Sequence, residues 1–131
     1  MREIKFRGKR VDNGEWVTGF YVYMGVSRRG TSHLEFAHMI LDSSSKDAEG
    51  LVQYEVIPET IGQFTGIHDK NDVEIYDGDI VYIKGEDDKG TIVWDSEELE
   101  YGIDMEGVQV KLGCFYGRDL EVIGNIHDKE S

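Results

Sequence analysis

Apolar and polar positions alternate along most of the chain with the period of two that marks half-buried β-strands. Residues 2–7 alternate cleanly, and Asp12-Asn13-Gly14 is a turn signal, because Asn and Gly tolerate the positive φ of a tight hairpin. Trp16–Tyr23 follows, rich in aromatic and β-branched residues, so the pattern predicts an N-terminal hairpin. Leu34–Leu41 is apolar and reads as either strand or short helix. Residues 42–50 have little to bury and read as a solvated loop, and Leu51–Ile57 returns to strand character. Pro58-Glu59-Thr60 suits one helical turn that starts at Pro58, with Gly62 and Gly66 limiting anything longer.

The second half is more compact. Asp77-Gly78-Asp79 reads as an exposed turn, Ile80–Ile83 as a strand, Gly85–Gly90 as a loop and Thr91–Trp94 as a strand. An acidic connection, Asp95–Glu100, leads towards Val108–Leu112, whose alternation marks another strand, and Leu120–Ile126 closes the set. Short strands between Gly- and Asp-rich turns predict a small barrel. Ile75, Ile80, Val81 and Ile83 would fill one side of it. The expected fold is mainly β with little helix: an N-terminal β region over 1–57 and a barrel region over 58–131, packed as one compact unit.

Composition sharpens this picture. The 131 residues include 27 acidic and 14 basic side chains, a net charge of -13. Residues 1–60 carry 9 acids and 8 bases, whereas residues 61–131 carry 18 and 6. The C-terminal half therefore repels phosphate backbones, which argues against direct nucleic-acid binding through it. In the N-terminal half Lys5, Arg7 and Lys9 fall on one face of an extended strand, and Arg2, Arg10, Arg28 and Arg29 would extend that basic patch. It is either a solvated face or a surface that meets the acidic half of a neighbouring subunit. The longest apolar run, Phe20–Met24, is far short of the roughly 20 residues of a membrane span. With one cysteine and no apolar leader, the expected compartment is a reducing cytoplasm.

Motifs with chemistry mostly fail. A calcium loop from Asp69 has Val73 at its fifth position, Glu74 where Gly is required and Ile80 where the bidentate Glu belongs. Gly85 and Gly90 have phosphate-loop spacing, but Thr91 replaces the Lys, and Gly-x-Gly is absent. His33 and His38 would lie on opposite faces of a strand, and Cys114 has no second cysteine for a zinc site, so it reads as buried filler. Asp77 and Asp79 are the one pair suited to a divalent cation or acid–base work, and solvation of a turn explains them better. No catalytic, cofactor or metal residue is assigned. Trp94, Tyr101, Phe115 and Tyr116 are candidates for an aromatic peptide groove, at least half of them expected in the core.

Residues 58–81 read Pro-Glu-Thr-Ile-Gly-Gln-Phe-Thr-Gly-Ile-His-Asp-Lys-Asn-Asp-Val-Glu-Ile-Tyr-Asp-Gly-Asp-Ile-Val. With the opening Arg2–Arg10, Asn13–Val17 and the closing Glu121–Ile126, this resembles the YopX family of small phage and prophage proteins. Asp72 stands where that family usually has Gly. The resemblance implies a mainly β protein, phage- or prophage-encoded, with an SH3-like C-terminal barrel. It implies no activity. The expected role is a non-catalytic module that binds a protein partner or its own copies. Its candidate surface is Lys5, Arg7, Lys9, Trp94, Glu97, Glu98, Glu100 and Tyr101. The alternatives are an acidic nucleic-acid mimic that occupies a host DNA-binding protein and, more remotely, a metal-dependent hydrolase built on Asp77 and Asp79.

Overall fold

The structure, a computed structural model, describes residues 4–27, 34–42, 52–86 and 88–128. Most of the expected loop over 42–50, together with Arg2, Arg28, Arg29 and His33, lies outside the described residues. The described elements are strands and three short 3-10 turns. Every pairing is antiparallel, in two sheets of order β4-β3-β2-β1-β5-β6 and β10-β9-β8-β7-β11. The chain divides into two compact units, one of residues 3–63 and one chiefly of residues 64–131.

In the first unit, β1 (Phe6–Lys9) and β2 (Trp16–Ser27) pair from Phe6↔Gly19 to Lys9↔Trp16. Their connection is held by Arg10 N–H donating to the Glu15 carbonyl at 2.9 Å, and by Gly14 N–H donating to that of Arg10 at 3.0 Å. The ambiguous stretch after residue 33 is a strand, β3 (Leu34–Asp42), paired with β2 along its whole length except Asp42. β4 (Val52–Glu55) pairs only with Met39–Asp42 of β3. Ala37, Met39, Ile40 and Val56 form the buried apolar set. Pro58–Thr60 makes the expected helical turn, of 3-10 type. The buried Thr60 hydroxyl fastens it, accepting Lys9 N–H at 2.9 Å and donating to the Ile57 carbonyl at 2.6 Å.

β5 (Gly62–His68) leads into the second unit, where Phe64 and His68 pair with β6 (Glu74–Tyr76). The other strands there are β7 (Asp79–Ile83), β8 (Asp88–Asp95), β9 (Glu100–Met105), β10 (Val108–Lys111) and β11 (Leu120–Asn125). β9 and β10 are joined by Glu106 (φ 54°) and Gly107 (φ 89°), the two positive φ values of a type I′ hairpin. Six aliphatic side chains (Ile75, Val81, Ile83, Ile92, Ile103 and Leu120) have no exposed surface. Each contributes roughly 1.5–3 kcal/mol of transfer free energy.

Three expectations need correction here. No sheet closes into a barrel: β10 and β11, the end strands of their sheet, do not pair with each other. β10 stops after four residues at the 3-10 turn Leu112–Cys114. The outer edge of β11 is occupied instead by the loop at residues 69–70, with Lys70 N–H donating to the Leu120 carbonyl at 3.0 Å. Ile80 is only half-buried, because it alternates with Val81 to the opposite face of β7. The Gly85–Gly90 loop is shorter than expected, since Asp88 pairs with Ile83 and already belongs to β8.

Candidate functional site

The site is built at the end of the five-stranded sheet where β8 turns into β9. Trp94 and Tyr101 lie directly opposite each other across the two strands. Their rings meet edge to face with centroids 4.9 Å apart, an arrangement favoured by aromatic quadrupoles. Alternation along the strands places both rings on the side of Ile92 and Ile103. Tyr101 is buried there at 9% exposure, whereas Trp94 keeps 46% of its surface in solvent.

The acidic connection is an ordered turn. Asp95 Oδ1 accepts Glu97 N–H at 2.9 Å and Glu98 N–H at 3.2 Å, which orders the backbone of that turn. The next residue, Leu99, has φ 56° and is 71% exposed. An aliphatic side chain is thus held outward in a backbone region that costs L-residues about 1–2 kcal/mol.

Two clefts meet at this corner. One, of about 270 Å³, is lined by Ile67, Trp94, Leu99, Tyr101 and Leu112 on its apolar side, with Glu100 at its border. The other, of about 200 Å³, is lined by Gly102 together with Asp95, Glu98, Glu100 and Lys111. Lys111 Nζ stands 3.4 Å from Glu100 Oε1, and its pKa is raised by that hydrogen bond and then by the charges of Glu100 and Glu98. Both partners are well exposed, so the pair adds little stability.

Of the residues singled out from sequence, Trp94, Glu98, Glu100 and Tyr101 converge here. Glu97 lies in the same turn and lines neither cleft. The other two aromatics separate: Phe115 packs against the core, and Tyr116 is exposed with the Arg118 guanidinium 4.7 Å from its ring centre. Cys114 is exposed, not buried, because the 3-10 turn that buries Leu112 leaves it outside. Asp79 is likewise the reverse of the exposed residue expected. It is 1% exposed, and its Oδ2 accepts Tyr76 N–H at 2.7 Å, so the turn is closed from within. Among the described residues, no group of three or more His, Cys, Asp or Glu side chains is placed to hold a metal ion.

A family model described as YopX protein matches residues 5–130. The chain belongs to the YopX family. No curated protein matches it.

In this YopX-family chain, the segment with the densest resemblance is a hydrogen-bonded corner. Thr65 Oγ1 donates to the Ile75 carbonyl at 2.8 Å and accepts Ile67 N–H at 3.2 Å. The Asp69 carboxylate collects the N–H groups of Asn71, Val73 and Val122 at 2.8–2.9 Å. Burial pushes the Asp69 carboxyl up, but these three donors outweigh it and hold its pKa below the ordinary value. Asp72, in the family's glycine position, has φ 63°.

The basic face of this YopX-family chain belongs to the other unit. Arg7 and Lys9 share one side of β1 and flank the Trp16 ring, at 4.6 and 5.4 Å from its centre. Lys5 precedes the strand. Arg10 does not extend this face. It alternates to the other side, pairs with Asp12 at 2.6 and 2.9 Å, and covers Tyr54. That pairing raises the Arg10 pKa and lowers that of Asp12. Among the described residues, no helix is long and apolar enough to cross a membrane.

Proposed function

We propose that this chain is a phage- or prophage-encoded accessory protein that works in the host cytoplasm without catalysis, by holding a basic segment of a partner protein. The segment lies across the β8–β9 corner in the way SH3-like domains take extended peptides, its apolar anchor in the cleft and its cations against the carboxylate border. One observation carries this reading: Trp94 is half out in solvent over a buried Tyr101, beside the outward-held Leu99. Exposed aromatics backed by rigid packing are the usual centres of binding energy. The partner's sign follows from charge, since Glu100 borders the Trp94 cleft and Asp95, Glu98 and Glu100 line the neighbouring one, in a chain of net charge -13.

Affinity capture from phage-infected host cells tests this with the wild type, with Trp94→Ala, and with Glu97→Gln, Glu98→Gln and Glu100→Gln combined. A partner held as proposed is lost with both variants. A nucleic-acid mimic would lose its partner only with the triple variant. A partner retained by both variants contradicts the proposal.

A further inference from the structure

We infer that the outer edge of β10 is a strand-addition site, on which the partner's basic segment pairs through its backbone with apolar and cationic residues alternating; this rests on the acidic corner holding such a segment, and adds how it is held. Among the described residues β10 is the end of its sheet and pairs with β9 alone. The opposite end of the sheet is covered, because Lys70 N–H and the Asp69 carboxylate bond to β11.

Register fixes which backbone groups face outward. Glu106 and Gly107 form the two-residue loop, so Met105 and Val108 are the bonded pair that closes the hairpin. Bonded pairs alternate along an antiparallel ladder. Val110 therefore bonds to Ile103, and Gln109 and Lys111 turn their N–H and C=O groups away from β9. The surroundings of Gly102 agree: a Cβ placed there would meet the Val110 carbonyl oxygen at 3.1 Å, which puts that carbonyl on the β9 side. Val108, Gln109 and Lys111 are exposed, so an incoming chain reaches the edge. A row of outward N–H and C=O groups takes one kind of occupant, the backbone of another strand.

Pleat and charge select the side chains of that strand. Val108 and Val110 lie on the side of Ile103, and Val108 is 64% exposed, so the residues set beside them are apolar. Gln109 and Lys111 lie on the other side, where Asp104 is directly across from Gln109. The cleft of about 200 Å³ is lined by these two residues and by Asp95, Glu98 and Glu100, whose carboxylates outnumber the Lys111 ammonium. Residues set on that side are therefore cationic. Charge also disfavours a second copy as the occupant. Two β10 strands paired about a twofold axis would bring Glu100 and Asp104 of both copies onto one side of the joined sheet.

Residue-resolved amide hydrogen exchange on the full chain tests this, with a synthetic peptide of alternating Lys and Leu as the probe. The peptide should slow exchange at Gln109 and Lys111 N–H about tenfold or more, and leave Val110 N–H, already bonded to β9, unchanged. Gln109→Pro removes an outward N–H and no bond to β9, so it should weaken peptide binding about tenfold or more with far-ultraviolet circular dichroism unchanged. If Gln109→Pro disturbs the hairpin, two N-methylated peptides decide on the unaltered chain, one methylated at the Lys nitrogens and one at the Leu nitrogens. A strand pairs through one edge, so one of them should bind about tenfold or more weakly than the other. Equal binding of the two would overturn the inference. A peptide that binds and leaves Gln109 and Lys111 exchanging as before would overturn it while the acidic corner keeps its role, and a peptide that fails to bind removes both. Protection of Gln109 N–H that grows with chain concentration in the absence of peptide would assign the edge to a second copy and overturn it as well.

Discussion

Asp69 Oδ2 accepts the backbone N–H of Val122 at 2.8 Å, a bond between residues fifty-three positions apart. The other oxygen of the same carboxylate holds Asn71 and Val73. One side chain thus closes its own turn and caps the edge of β11, beside the irregularity at Val122–Gly124. Replacing it by Asn keeps one acceptor and presents an amide donor to the remaining N–H groups. Asp69→Asn should cost about 2–3 kcal/mol, read from the urea midpoint, and Asp69→Ala should cost more.

The same carboxylate sets an acid limit. Its pKa is held below the ordinary carboxylate value in the folded chain and lies near 3.9 in an unfolded one. Between the two values the unfolded chain binds more protons, so stability rises with pH. The contribution is complete above about pH 5, roughly one unit over the unfolded value, and is lost as pH falls through the lower, folded value. The stability gap between wild type and Asp69→Asn should be constant near neutrality and should narrow below pH 4. A gap that holds its size into strong acid would contradict this assignment.

Leu99 trades stability for exposure. Glycine adopts φ 56° without the Cβ clash, so Leu99→Gly should raise stability by about 1 kcal/mol net of its greater freedom when unfolded. It also removes the outward side chain from the cleft, so partner capture should fall as the melting temperature rises. A variant that is both less stable and fully able to bind would argue against a functional reason for this strain.

Much of the fold was legible because strands of this chain alternate openly: Trp16–Tyr23 and Ile80–Ile83 lie within the observed strands, and Val108–Leu112 does so except for Leu112, which opens a 3-10 turn. β9 was hidden, since Glu100 reads as the end of an acidic run and Gly102 and Asp104 interrupt the apolar signal of Tyr101 and Ile103. Barrel closure depends on whether end strands meet, which strand spacing does not determine. Burial of Asp79 was equally out of reach, because an Asp-Gly-Asp turn looks the same whether its carboxylate faces water or Tyr76 N–H. At the site, residue types pointed to Trp94 and Tyr101. The register sets them opposite each other on one side of the sheet, and their burial there, not their residue type, makes one a core residue and leaves the other half in solvent.

The most direct measurement uses Trp94 as its own reporter. Trp16→Phe leaves one indole in the chain, and a synthetic peptide with alternating Lys and Leu serves as the probe, with a Glu/Leu peptide as control. The account predicts a blue shift and saturable change in Trp94 emission with the basic peptide alone, weakening as salt is raised and lost on Glu98→Gln with Glu100→Gln. Emission that ignores the basic peptide, or that responds equally to the acidic one, would contradict it.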